Sequence, residues 1–394
     1  MKKIIFVSLI LMLVTGCGLS NNGNILKRIT NNIDKSNSYY LEGTMEIINN
    51  EDAYTYDVKV SYKKDNYYKV ELTNTSNDHE QVILRNEDGV YVVTPNLNKS
   101  FKFQSDWPNN NSQVYLLDSI ISDVNNDENY TVNENNSGYI LTSKVNYPNN
   151  ASLVKQNVYV DNNSNITKVE VVDTNEKVQI KMEFSKIDLN HKFDDDYFKL
   201  NQIISIKPDD DKKDTEKGNN EVKENDNSDT TNNSSSSNED TNEEVNNNRD
   251  DNTTNNNEAN NSGNTTEEDS DNNNSKTKET VTIDDIIYPM YLPDNTYLTN
   301  KEVVDTNNGK RLILNFDGDN SFVLIEETSS YNEDNLILPV SGEIDFVSDV
   351  LAVVGDSSIT WTSAGIDYYM ASSNLDSSEL LQIARSISSL PVSK

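Results

Sequence analysis

Few side chains in this sequence have a type and spacing that could perform chemistry. Cys17 is the only cysteine among 394 residues, so it cannot form an internal disulfide. His79 and His191 are the only histidines, too few for a histidine-rich metal site. His79 falls in a polar segment, where we expect a surface residue, and His191 has no evident partner. Glycine-rich phosphate motifs and the serine-nucleophile motif do not occur, so we expect no enzyme and no cofactor.

One acidic segment comes close to a calcium-loop pattern. Asp123, Asn125, Asp127 and Glu134 occupy positions 1, 3, 5 and 12 of such a loop, directly after a helical pattern. Glu128 stands where the loop needs glycine for its sharp turn, and the residues beyond it favour a strand over a helix. In a chain this rich in Asp and Asn the spacing arises by chance, and we predict no metal site.

The first seventeen residues have the pattern of an export signal. Lys2 and Lys3 are basic, residues 4–14 are almost entirely apolar, and Thr15 and Gly16 are small. A basic start, a short apolar run and small residues at its end are typical of a secretory signal peptide. The run is about half of the roughly 20 residues that a membrane-spanning helix needs. We therefore predict that residues 1–16 are removed.

Val14, Thr15, Gly16 and Cys17 resemble the lipobox of bacterial lipoproteins. The resemblance implies cleavage before Cys17 and a diacylglycerol on its thiol, with residues 17–22 as a tether. The protein would then be lipid-anchored at the extracytoplasmic face of the cell membrane. The alternative is an ordinary signal peptide with a cysteine nearby by chance.

Composition indicates two folded regions joined by an acidic linker. The net charge of −33 argues against nucleic acid, which attracts positive surfaces. Between residues 207 and 280 there is no aromatic residue, and the apolar side chains are Val222, Val245 and Ala259. Such a segment cannot bury enough apolar surface to offset its chain entropy, so we predict a disordered linker.

The first region, residues 23–206, combines helical and strand patterns. Ile25, Ile29 and Ile33 lie at helical spacing, and residues 114–124 form a second helical pattern. Most of the remainder alternates at period two, with a hairpin turn predicted at residues 86–89. The clearest strand pattern is at residues 54–62. There Tyr54, Tyr56, Val58, Val60 and Tyr62 alternate with polar residues, which predicts a strand with one buried face.

Trp107 and Pro108, residues 112–117 and the closing residues 193–200 resemble those of LolA-like lipoprotein-carrier proteins. Within that group the chain is most similar to germination lipoproteins of the GerS type and to sporulation-associated carrier proteins of Gram-positive spore formers. The resemblance implies an open half-barrel of antiparallel strands with helices in its mouth. Carriers of this group hold acyl chains in the concave face, and GerS-type members bind a cell-wall amidase.

The concave face is thus the candidate site. Tyr54, Tyr56, Val58, Val60 and Tyr62 would contribute to binding a ligand or partner there. The alternative is that these side chains pack beneath the two helices, and we favour it because alternating strand residues more often belong to a core.

The second region, residues 281–394, has the pattern of a small α+β domain. Residues 303–304, 312–314 and 322–325 predict strands joined by tight turns. Asp376 and Glu379 resemble a capping box before an apolar helix at residues 380–387. Together with residues 288–293 and with Thr360, Trp361 and Gly365, this helix resembles an uncharacterised C-terminal domain. That domain occurs in Gram-positive lipoproteins and anti-sigma-factor ectodomains, and no activity is established for it.

These observations predict a non-enzymatic, lipid-anchored binding protein of the α+β class. In the leading interpretation its LolA-like region docks a cell-wall amidase during sporulation or germination. In the alternative it carries a lipid or a lipoprotein acyl chain in the concave face. The fold alone does not decide between them.

Overall fold

The computed structural model describes residues 22–49, 52–204, 283, 286–307, 309–332 and 335–387. The predicted signal peptide, Cys17, all of the tether except Asn22, and the predicted linker lie outside these residues. None of the helices in the described part of the chain is long and apolar enough to cross a membrane.

The region before the linker is built mainly of strands, with short helices. Its helices are α1 (Asn22–Asp34), α2 (Leu117–Asn126) and α3 (Asn201–Ile204). Its strands are β1 (Ser38–Asn49), β2 (Asp52–Lys63), β3 (Tyr67–Asn74), β4 (Glu80–Asn86), β5 (Gly89–Thr94), β6 (Lys99–Phe103), β7 (Thr131–Asn135), β8 (Gly138–Lys144), β9 (Leu153–Val160), β10 (Ile166–Asp173) and β11 (Val178–Leu189). The coarse prediction of a strand-rich α+β region with few helices is confirmed, whereas the half-barrel itself stays a prediction.

The region after the linker contributes eight strands and one helix. The strands are β12 (Thr296–Thr306), β13 (Gly309–Gly318), β14 (Phe322–Thr328), β15 (Leu336–Val340), β16 (Glu343–Val347), β17 (Val350–Val354), β18 (Ser358–Ser363) and β19 (Ile366–Ala371). The helix is α4 (Ser377–Arg385). Asp376 caps it as predicted: its side chain accepts a hydrogen bond from the Glu379 N–H, and the Glu379 carboxylate accepts one from the Asp376 N–H.

The first sheet has twelve strands in the order β15-β6-β5-β4-β3-β2-β1-β11-β10-β9-β8-β7. All neighbours are antiparallel except β15 and β6. The predicted turn at residues 86–89 is confirmed, because Asn86 pairs with Gly89 across it. Consecutive hairpins therefore build almost the whole sheet, as period-two patterns separated by turn residues predict.

Helices α1 and α2 bury their apolar faces in one core with strands from β1 to β11. Ile25, Ile29 and Ile33 of α1 are all at least 94% buried, as their spacing predicts. Helix α2 begins at Leu117, three residues later than the pattern indicated. The reason is local: the Gln113 N–H donates to Ser119 Oγ, which holds the preceding residues in a loop.

Strand β15 crosses from the second region into the first sheet. The strands before and after it, β14 and β16, belong to a seven-stranded sheet of order β12-β13-β14-β19-β18-β17-β16. Leu336 pairs in parallel with Lys99, and Val340 with Phe103. No predicted element covers these residues, although Leu336, Ile337 and Leu338 form a short apolar run.

Polar contacts also join the regions on either side of the linker. Gln81 forms two hydrogen bonds with the backbone of Leu351. Lys99 Nζ lies 2.7 Å from Asp367 Oδ1, and the Lys99 side chain is 7% exposed. Ile344, Leu351 and Val353 enter the core beneath α1 and α2. The described residues before and after the linker therefore form one compact unit. Strand β15, which comes from the second region and pairs in the first sheet, is the feature that the two-domain prediction did not contain.

The second sheet packs against α4 around a core of its own. Glu326 of β14 is fully buried in that layer. Its Oε2 accepts a 3.5 Å hydrogen bond from the Ile287 N–H, and its Oε1 has no hydrogen-bond partner among the described residues. Burial raises the pKa of this carboxyl group to about 7.

Candidate functional site

The predicted site residues lie on the face of β2 that points into the first core. Tyr56, Val58 and Val60 are at least 98% buried, and Tyr54 and Tyr62 are half-buried against the same cluster. The structure thus places all five side chains together, under the helices and the second region. Core packing accounts for Val58 and Val60, and a binding role for the five stays a prediction.

The tyrosines at one end of this strand face the helices. The Tyr62 ring lies 4.8 Å from that of Tyr39 and 4.9 Å from that of Tyr68, centroid to centroid. Tyr39 donates a 3.3 Å hydrogen bond to Asp118 on α2. Burial raises the pKa of both Tyr39 and Asp118, because the charged form of each group is poorly solvated there. This end of the strand is closed by aromatic packing.

The other end of β2 faces the second region. The Tyr56 ring lies 5.7 Å from that of Phe346 on β16. Burial, with the nearby Asp349 carboxylate as a further cause, raises the pKa of Tyr54 and Tyr56. The predicted concave face is therefore covered by residues of the second region, such as Phe346, which lies 290 positions after Tyr56 in the chain.

A small recess remains between β1, β11, the loops before α2 and β9, and the second region. It encloses about 110 Å³. Its apolar wall includes Met45, Ile47, Ile180, Leu153, Ile344, Phe346 and Leu351, and its polar residues include Asn111, Gln113, Asn149, Asn150, Gln179, Ser348, Asp345 and Arg385. An apolar floor with a few polar groups at its edge is the usual composition of a binding pocket.

Amide side chains dominate the polar edge of the recess, and some hold one another in place. Tyr115 donates from its hydroxyl to Gln113 Oε1, and Gln113 Nε2 donates to Asn111 Oδ1. Carboxamides donate and accept hydrogen bonds without a net charge. The edge is thus suited to the N–H and C=O groups of another polypeptide.

Arg385 at the end of α4 is the cation of this recess, and it is already engaged. Its Nε donates to the Phe346 carbonyl at 3.0 Å, and its Nη2 lies 3.1 Å from Asp345 Oδ1. The negative charge of Asp345 offsets the positive charge of Arg385, which an anionic lipid head group would need for binding. Arg385, Asn149 and Asn150 also line an open cleft of about 460 Å³, so the recess continues outward to the surface there.

Both histidines lie in surroundings that differ from the predictions. His79 is half-buried rather than on the surface, and burial lowers its pKa while Asp349 opposes that shift. His191 does have a partner, because its Nδ1 lies 2.7 Å from Asp188 Oδ2, and its ring packs on those of Tyr40 and Phe193.

The calcium-like segment uses its side chains for local structure. Asp127 accepts hydrogen bonds from the backbone N–H groups of Lys144 and Asn129, at 2.9 and 3.0 Å, and these bonds lower its pKa. Strand β7 contains Glu134 at the end of the segment, and β8 follows it, so the residues beyond the segment form a strand as predicted. Within the described ranges, no group of three or more His, Cys, Asp or Glu residues is arranged to hold a metal ion.

The model of one protein family, described as sporulation protein YdcC-like, matches residues 1–198. The chain belongs to this family. It is also similar to sporulation protein YdcC of Bacillus subtilis (strain 168), with 29% identity over 380 residues that cover 96% of this chain and 94% of the relative. The similarity therefore extends across both folded regions.

Solved structures give weaker likenesses. The Pseudomonas aeruginosa MucA/MucB complex matches with a TM-score of 0.28 and 9% identity, over 92% of this chain and 97% of the other. The CwlD amidase–GerS lipoprotein complex of Clostridioides difficile matches with a TM-score of 0.26 and 19% identity, over 44% and 95%. A LolA superfamily protein of Nitrosomonas europaea gives 0.26 and 12%, over 45% and 98%. TM-scores this low do not establish a shared fold.

Proposed function

We propose that this protein is a non-enzymatic, lipid-anchored binding protein of the extracytoplasmic face of the cell membrane. It docks a protein partner, a cell-wall amidase or a related envelope enzyme, during sporulation or germination. The observation that carries this proposal is the size and composition of the recess between the two folded regions.

The volume of the recess favours a side chain over a lipid. A cavity of roughly 150 Å³ holds a single benzene molecule. The enclosed part of the recess measures about 110 Å³, which suits one aliphatic side chain, whereas an acyl chain would have to extend into the open cleft beside it. One apolar side chain inserted into a pocket is a common anchor at the centre of a protein interface.

The chemistry of the edge points the same way. The carboxamides of Asn111, Asn149 and Asn150 can pair with the backbone of an inserted segment, whereas Arg385 already pairs with Asp345. Membership of the sporulation protein YdcC-like family supports a role during sporulation or germination. The choice of an amidase rests on the sequence resemblance of residues 107–108, 112–117 and 193–200 to germination lipoproteins.

Binding to the purified cell-wall amidases of the source organism tests this proposal, with the full chain immobilised in detergent. Ile47→Trp fills the recess from β1, and we expect it to weaken binding at least tenfold. Thr44→Trp is the matched control, because Thr44 is exposed on the opposite face of the same strand. If no amidase binds, or if both variants bind like the parent chain, the proposal is wrong.

The carrier alternative has its own readout in the same material. Native mass spectrometry of the full chain would then show a lipid besides the one attached to Cys17. Saturable uptake of a fluorescent fatty acid, lost in Ile47→Trp and kept in Thr44→Trp, would favour the carrier over the docking protein.

A further inference from the structure

Strand β12 is an edge strand of the second sheet and is exposed along nearly all of its eleven residues. It contains neither proline nor glycine, the residues that most often interrupt pairing at an edge. Tyr297, Leu298 and Val303 are among the large apolar side chains exposed in the described part of the chain, at 58%, 38% and 53%. The strand presents a row of backbone groups to solvent.

Val303 lies on the inward face of β12, at the edge of the second sheet. It lies opposite Leu312 of β13, which is 1% exposed, and Leu312 lies opposite Glu326 of β14. Leu312 is covered by the core, whereas Val303 is 53% exposed, and no strand of the described residues lies beyond it. A further strand on this edge would cover part of the Val303 side chain.

Strand β12 carries a positive and a negative side chain at equal distances on either side of Val303. Lys301 lies two residues before it and Asp305 two residues after it, and both are exposed. When two copies of a strand pair antiparallel about one residue, the position two before it faces the position two after it in the other copy. Pairing about Val303 therefore sets Lys301 opposite Asp305 twice, with Val303 on Val303 between them.

Neighbouring registers lack this complementarity. Pairing about Glu302 sets two glutamates directly opposite each other, and pairing about Lys301 sets two lysines opposite each other. Like charges directly opposite one another destabilise a strand pair, and opposite charges stabilise it. Pairing about Val304 sets Lys301 and Asp305 opposite uncharged residues, so the charges on this edge favour the register centred on Val303.

The geometry points to a homodimer formed by antiparallel pairing of β12 with β12 of a second copy, centred on Val303. The two seven-stranded sheets become one sheet of fourteen strands across a two-fold axis. The net charge of −33 opposes self-association at low ionic strength, but at physiological salt charges farther apart than about 8 Å are largely screened. This inference is independent of the proposed function.

Sedimentation velocity of the full chain in detergent tests the dimer, over about 1 to 200 µM, where an interface of this small size dissociates. We expect a reversible monomer–dimer equilibrium in the parent chain. Lys301→Asp alone and Asp305→Lys alone each place like charges opposite one another twice, so each is expected to raise the dissociation constant at least tenfold. Glu302→Lys is the control, because Glu302 faces Val304 in this register and dimerisation should persist.

Mixing the two charge variants gives the decisive result. In a 1:1 mixture each aspartate of the Lys301→Asp chain faces a lysine of the Asp305→Lys chain, so the heterodimer regains both opposite-charge pairs. The double variant Lys301→Asp/Asp305→Lys should dimerise with itself for the same reason. A monomeric parent chain at every concentration, or a mixture that stays monomeric while both variants are folded, would overturn the inference.

Discussion

Gln81 and Leu351 lie 270 residues apart in the chain and share two hydrogen bonds. The Leu351 N–H donates to Gln81 Oε1 at 2.6 Å, and Gln81 Nε2 donates to the Leu351 carbonyl at 3.4 Å. Both residues are buried, so one carboxamide satisfies the backbone of a strand from the other region. Substitution of Gln81 therefore tests directly whether the two regions unfold together.

Gln81→Leu is expected to lower the free energy of unfolding by about 1–3 kcal/mol, because it leaves the buried Leu351 N–H and C=O unpaired. Urea unfolding followed by tyrosine and tryptophan fluorescence measures the change. Gln202→Leu is the control, since Gln202 is exposed and contacts Asp196 at the surface. Equal stability of the two variants would show that the contact does not hold the regions together.

Replacing Asp367 in its ion pair with Lys99 should lower the stability of the protein more than replacing Lys99. Lys99 is almost fully buried, whereas a third of the Asp367 side chain is exposed. The Asp367 carboxylate also accepts a hydrogen bond from Thr362 Oγ1. Asp367→Ala leaves a buried ammonium group without its partner and should cost about 3–5 kcal/mol. Lys99→Met removes that charge and should cost less. Denaturant unfolding of both variants checks the order, and the reverse order would contradict this account.

Glu326 predicts a pH dependence of stability. Its pKa in the folded protein is about 7, against an ordinary value of 4.5. The protonated carboxyl is the form that folding favours, so its contribution is fully present below about pH 4.5 and is lost as the pH rises through 7. At about 1.4 kcal/mol per pKa unit the loss is on the order of 3 kcal/mol.

The difference in unfolding free energy between the parent chain and Glu326→Gln isolates this contribution, because other titrating groups are common to both proteins. We expect Glu326→Gln to gain stability relative to the parent between pH 4.5 and 7 and to keep that advantage above pH 7. A difference that does not change with pH would show that folding does not shift the pKa of Glu326.

Cys17→Ala tests the predicted anchor. It should abolish labelling by a radioactive or clickable fatty acid and release the protein from the membrane fraction, because the thiol that is predicted to carry the diacylglycerol is then missing. Fractionation of cells that express the parent or the variant chain measures both effects. Retention of label in the variant would place the lipid elsewhere.

Local patterns predicted much of this fold. The alternation of residues 54–62, the turn at residues 86–89 and the capping box of Asp376 and Glu379 each involve groups that are close in sequence, and each is confirmed. Strand β15 was missed because its pairing partner, β6, is more than 200 residues away. Five residues with a proline carry little strand signal of their own.

The candidate recess was predictable only in part. Strand periodicity identified the inward face of β2, but none of the five predicted side chains lines the recess, which is closed instead by Phe346, Leu351 and Arg385 from beyond the linker. No spacing in the sequence indicates that these residues meet Met45 and Ile47. His191 shows a different limit. Its partner Asp188 is only three residues away, but the turn that brings the two side chains together was not predicted.

The position of β15 has a consequence for how the chain matures. Strand β6 is complete after residue 103, but its neighbour is synthesised about 240 residues later. At roughly 5–20 residues per second, this edge of the first sheet stays open for at least about ten seconds of synthesis. During that time Phe101 and Phe103 lie on a strand whose outer backbone groups have no intramolecular partner. The order of synthesis therefore leaves this edge of the first sheet open to pairing with other chains until β15 has been made.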